Sequence, residues 1–155
     1  MLLSCKQDKT VDPTVMPAET TTGANTFGCL VDGWLYVGGR YFNNGTANHW
    51  SINFTYTEST NSISVRVKVK DIGKGNEYIA FTIDDPVETD GKSTKNCTFS
   101  NARWTDETDG SNPGENLGSG KVEITYFDKT TKIISGRFSS DNGRIKHGQF
   151  DVIYK

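Results

Sequence analysis

The stretch Ser62-Ile63-Ser64-Val65-Arg66-Val67-Lys68-Val69-Lys70 decides the fold class. Apolar and polar residues alternate without a break, and the apolar ones are all β-branched. Side chains in an extended strand point to opposite faces at every step, so one face is oily and the other wet. His49–Glu58, just upstream, repeats the pattern, with Trp50, Ile52, Phe54 and Tyr56 against Ser51, Asn53, Thr55 and Thr57. Thr60-Asn61 turns the chain between them. The two segments are expected to form a long hairpin that is half buried and half solvated.

Working outward, the same grammar recurs. Asp32-Gly33 separates Phe27–Val31 from Trp34–Val37. Asp-Gly between apolar runs predicts a tight hairpin, because both turn residues take positive φ. Asn43-Asn44-Gly45 and Gly73-Lys74-Gly75-Asn76 are further turns. Tyr78–Ile83 is a strand stopped by Asp84-Asp85-Pro86, since proline cannot donate to a ladder. Thr94–Trp104 has a weaker strand pattern, and Thr105–Gly120 is expected to be a polar, glycine-rich loop. Lys121–Phe127, the segment through Ile134 and Phe138, and the run ending in Phe150, Val152 and Tyr154 complete the set. The expectation is about nine short strands with no helix: an antiparallel, meander-rich β-sandwich or flattened barrel, with a lipocalin-like up-and-down barrel as the alternative. Gly136-Arg137-Phe138 and Gly148-Gln149-Phe150 repeat glycine-x-phenylalanine. Glycine leaves a gap on its face of a strand, which predicts packing there, with a neighbouring ring or a bulge filling the gap.

The 155 residues fit one domain, with an expected division into residues 1–25 as leader and flexible tether and 26–155 as a single all-β domain. Lys6–Asn25 is rich in threonine, carries Pro13 and Pro17, and has little to bury. Such a segment does not offset its ordering entropy and reads as a tether. With 17 basic and 19 acidic residues the net charge is −2, and no basic stripe stands out, which argues against nucleic acid. No apolar run reaches the ~20 residues of a spanning helix.

Three cysteines need separate readings. Met1-Leu2-Leu3-Ser4-Cys5 resembles a lipobox, in which Cys5 becomes the lipidated first residue of a bacterial lipoprotein. Only Met1–Ser4 precede it, fewer than the ~7–15 apolar residues of a signal peptide, so the expectation is a truncated signal or a misplaced start. Cys29 and Cys97 lie in strand-like segments, as a disulfide pair or as buried free thiols.

Asn25-Thr26-Phe27-Gly28-Cys29-Leu30-Val31-Asp32-Gly33 resembles a motif of small Bacteroidetes lipoproteins of unknown function, of the DUF6252 type. Tyr126-Phe127-Asp128, Lys132–Phe138 and Gly148-Gln149-Phe150-Asp151-Val152 fit the same group. The resemblance covers both ends of the domain; the middle matches only as strands and turns. It implies an exported, lipid-anchored β-domain on the cell envelope, at the outer membrane on its periplasmic or surface face. It implies no catalytic residue.

The residues themselves offer little catalytic chemistry. His49 and His147 are the only histidines, and no Gly-x-Ser-x-Gly elbow is present. No catalytic residue is assigned and no cofactor is called for. Within the acidic loop, Asp106, Glu107 and Asp109 are candidate calcium ligands, though the spacing is not that of an EF-hand. Trp34 and Trp104, each near a loop, are candidate platforms for stacking a sugar. The expected partners are a membrane, through a lipid on Cys5, and a glycan or envelope protein. The leading reading is a non-catalytic binding domain; a structural or assembly component and a hydrolase are the alternatives.

Overall fold

Asp32 and Gly33 adopt φ of 50° and 84°, and Val31 pairs directly with Trp34 across them. The hairpin therefore closes as its Asp-Gly dipeptide dictates. It joins β1 (Thr26–Val31) to β2 (Trp34–Asn43). The computed structural model describes residues 15–43, 46–70, 77–87, 94–107 and 113–155, with the side chains of 40–50 and 70 left aside. The remaining strands are β3 (Thr46–Trp50), β4 (Ile52–Thr57), β5 (Ser62–Lys70), β6 (Glu77–Asp84), β7 (Lys95–Asp106), β8 (Glu115–Asp128), β9 (Ile133–Ser140) and β10 (Ile145–Ile153). Among the described residues no helix is long and apolar enough to cross a membrane.

All ten strands form one antiparallel sheet in the order β3-β2-β1-β10-β9-β8-β7-β6-β5-β4. The sheet rolls into a nearly closed, flattened barrel. Gly38 of β2 lies against Val67 and Ile52, and the Lys68 amide donates to the Ser51 carbonyl at 2.8 Å. Beyond the end of β10, the Lys155 amide donates to the Phe54 carbonyl at 2.8 Å and the Tyr56 amide to the Lys155 carbonyl at 2.7 Å. The edge strand β4 is thus stitched to the chain terminus, which leaves less open edge.

Alternation fills the interior. Ile63, Val65, Val67 and Val69 are buried, facing Phe81 and Ile83 of β6 and Phe27 and Cys29 of β1 in one core. Phe138 is its hub, with ring centroids 5.0 Å from Phe81, 5.5 Å from Phe27, 6.0 Å from Phe99 and 6.2 Å from Phe150. The repeated glycine-x-phenylalanine is reciprocal. Gly136 pairs with Phe150 and Gly148 with Phe138. A Cβ on Gly136 would sit 2.8 Å from the Phe150 ring, and one on Gly148 2.7 Å from the Phe138 ring. Each glycine makes room for the other's phenylalanine.

Three expectations need correction. The His49–Glu58 segment is two strands: 46–50 pair with β2, 52–57 pair with β5, and the ladder breaks at Ser51 where the chain changes partner. The Thr105–Gly120 loop is much shorter, since β7 runs to Asp106 and β8 starts at Glu115. Buried Ala102 and Leu117 anchor that extension, and positive φ at Asn101 and Gly118 absorbs its irregular register. Finally, residues 16–25 are not a free tether; they lie across the outside of the barrel, as described below. The first part of the leader, Cys5 included, and the turns at Asn44-Gly45 and Gly73–Asn76 lie outside the described residues.

Candidate binding groove

The strap is held by one buried carboxylate. Asp151 points away from the core, yet only 1% of it is exposed because residues 20–24 cover it. Its oxygens accept hydrogen bonds from Thr20 Oγ1 at 2.5 Å and from the amides of Thr22, Gly23 and Ala24 at 3.0, 2.9 and 3.1 Å. Ser135 Oγ adds a fifth at 2.7 Å. Burial alone would raise this carboxyl, but the bonds from Thr20, Ser135 and the Ala24 and Gly23 amides hold it below its ordinary value. On either side, Asn25 Oδ1 accepts the Ile153 amide at 3.1 Å and Glu19 forms a two-oxygen pair with Arg137 at 2.5 and 2.8 Å. The Gln149 side-chain Nε2 donates to the Pro17 carbonyl, and Met16 and Pro17 rest on Gly28, where a Cβ would come within 2.6 Å of the Met16 sulfur.

Beside the strap lies a groove of about 1060 Å³ on the outer face of β1, β2 and β7–β10. The strap supplies one wall through Met16 and Glu19. Leu30 and Leu35, a cross-strand pair, form an apolar end. Lys121, Ser139, Lys146, His147 and Gln149 supply polar atoms. His147 holds φ of 53° where the β1–β10 register slips between Gly28 and Leu30. A non-glycine residue in this region is uncommon, and bulges of this kind re-aim a side chain. The exposed His147 makes no hydrogen bond to a carboxylate among the described residues; the side chain of His49 lies outside them.

The tryptophans occupy the rim of the barrel instead. Trp34 is 74% exposed next to the Asp32-Gly33 turn. Arg144 ties that turn to β8, bonding Asp32 at 2.6 and 3.1 Å and Glu115 at 2.6 Å. Glu115 pairs in register with Trp104, so both tryptophans stand at one end of the barrel. Trp104, however, packs against the core, with its indole N–H buried and unpartnered among the described residues. Only one of the two presents a free face.

Other candidates are not brought together. Cys29 and Cys97 are free thiols rather than a disulfide. Cys29 sits among core side chains opposite Tyr36, whereas Cys97, near Asp84 and Asp85, is on a strand four places away in the sheet and lines the groove. Burial pushes the Cys97 thiol up to about 11 and the Cys29 thiol higher, so both are neutral at pH 7 and poor nucleophiles. Glu107 pairs with Arg66, which stacks 3.9 Å over the Tyr78 ring. Asp106 is partly buried, and Asp109 lies outside the described residues. Among the described residues no three His, Cys, Asp or Glu side chains gather as a metal would need.

Comparison with known proteins adds no relative: no family model, no curated protein and no solved structure matches the chain. The groove residues escaped the sequence reading, because Lys121, Ser139 and Lys146 meet only through the register of three strands. Their one local signal is that each falls on the polar phase of its strand.

Proposed function

We propose that this chain is a cell-envelope lipoprotein of the DUF6252 type, anchored through Cys5, whose β-domain binds a ligand without transforming it. The anchor and address rest on the Leu2-Leu3-Ser4-Cys5 string and the quoted motifs. The binding role rests on the strap-walled groove, a preformed concavity that combines an apolar end with a few convergent polar groups. Cys97, the one thiol among the groove-lining residues, is neutral, and His147 has no carboxylate to orient it among the described residues, which favours capture over chemistry.

Two experiments test this reading. Labelled palmitate should enter the chain in a bacterial envelope host and fail to enter a Cys5→Ala variant; an unlabelled parent removes the anchor. A panel of oligosaccharides, acyl amphiphiles and peptides is then screened by thermal shift on the Cys5→Ala chain. A ligand at 100 times its Kd stabilises by about 2.7 kcal/mol. Ser139→Trp, which fills the groove floor without adding charge, should abolish the shift; an unchanged shift would move the site elsewhere. The glycan reading keeps one observation in its favour, the exposed Trp34, and predicts that Trp34→Ala abolishes oligosaccharide binding instead.

A further inference from the structure

The chemistry of the ligand can be taken one step further, resting on the groove as the binding surface. Its carboxylates are already answered: Arg137 binds Glu19 through both oxygens and reaches Glu123 at 3.4 Å. Lys121 and Lys146 are exposed and have no acidic partner among the described residues. The uncompensated charge is therefore positive and sits at two points. Lys121 pairs with Ser139 of β9, and β9 lies between β8 and β10. Neighbouring strands stand ~4.8 Å apart, so β8 and β10, which carry Lys121 and Lys146, run roughly 10 Å apart with β9 between them. Two ammonium groups on flexible four-carbon stems are long enough to reach one ligand group lying between them. On the other side of Lys146, Leu30 is its register partner, and Leu35 follows Leu30 on β2. A dicationic clamp thus passes into an apolar strip walled by Met16.

We propose that the groove holds a phosphate-bearing amphiphile, with the phosphate between Lys121 and Lys146 and the hydrocarbon over Leu30, Leu35 and Met16. A phosphate monoester carries about −1.5 to −2 charges at pH 7, which matches two lysines better than a single carboxylate does. Ser139 Oγ donates a hydrogen bond to the same oxygens.

The test uses dodecyl phosphate below its micelle concentration, titrated by calorimetry into the Cys5→Ala chain. Dodecyl phosphate is expected to bind at least ten-fold tighter than dodecyl maltoside, dodecanoate or inorganic phosphate. Lys121→Glu and Lys146→Glu should each weaken it at least ten-fold, while Lys129→Glu, on the turn after β8, leaves it unchanged. Circular dichroism confirms that each variant keeps its sheet. Equal affinity for dodecanoate, or lysine variants that bind normally, would overturn the proposal. If dodecyl maltoside binds as tightly and Leu30→Ser weakens both, the groove stands and the phosphate fails. If no probe binds, the groove reading fails with it.

Discussion

Replacing Asp151 with asparagine changes one atom and should release the strap. Oδ2 accepts from Thr20, Thr22 and Ala24, and Oδ1 from Gly23 and Ser135. An asparagine keeps one acceptor oxygen and turns an N–H₂ group toward donors, so two or three of the five bonds are lost. Hydrogen bonds to a charged group contribute about 1.5–3 kcal/mol each, but a strap that detaches regains water and conformational freedom. The net loss is capped by the docking energy of the strap, for which we expect about 2–4 kcal/mol. For a chain of this size that is a Tm fall of about 5–15 °C. The carboxyl is held below its ordinary value, so its contribution is complete above the unfolded pKa of about 4 and fades as pH falls through the lower folded value. Stability of the parent should drop below pH 4, and that of Asp151→Asn should drop less. Hydrogen exchange reads the strap directly, through the amides of Thr22, Gly23 and Ala24. Unchanged protection of those amides in the variant at pH 7 would refute the reasoning.

Three further outcomes follow from the same packing. Phe138→Ala empties the hub of the aromatic core and should cost about 3–5 kcal/mol in denaturant unfolding. Gly120→Ala places a Cβ 2.0 Å from the Ser139 carbonyl, so β8 and β9 must separate; a loss of about 1–3 kcal/mol or more is expected, with groove affinity falling alongside. In a Cys5→Ala chain at pH 8, Cys29 and Cys97 should react with a thiol reagent more slowly than in the unfolded chain, because the buried Cys29 and the half-buried Cys97 stay protonated.

The parts of this molecule that are local in sequence were legible there. Asp32-Gly33 specified its hairpin, alternation in 62–70 specified which side chains are inside, and the two glycine-x-phenylalanine steps marked packing positions, though not that each would receive the other's ring. The strap was not legible. A threonine-rich segment with few apolar residues has the composition of a tether, and its order comes from amides that meet a carboxylate 127 to 129 positions away. The polar ends of β7 and β8 read as loop because their sheet pairing depends on Ala102 and Leu117, two apolar residues in a glycine-rich surrounding. The groove required still more. Alternation puts Lys121, Ser139 and Lys146 on the outer face, but only the register of β8, β9 and β10 and the slip at His147 make them neighbours.

On the proposed binding role, the outer face beside the strap, not the barrel rim, receives the ligand. Amide shift mapping of the labelled chain during titration with dodecyl phosphate tests it most directly. The largest shifts are expected at Leu30, Lys121, Ser139, Lys146 and His147, with Asp32, Trp34 and Glu115 nearly still. Shifts concentrated on Asp32, Trp34 and Glu115 would contradict it.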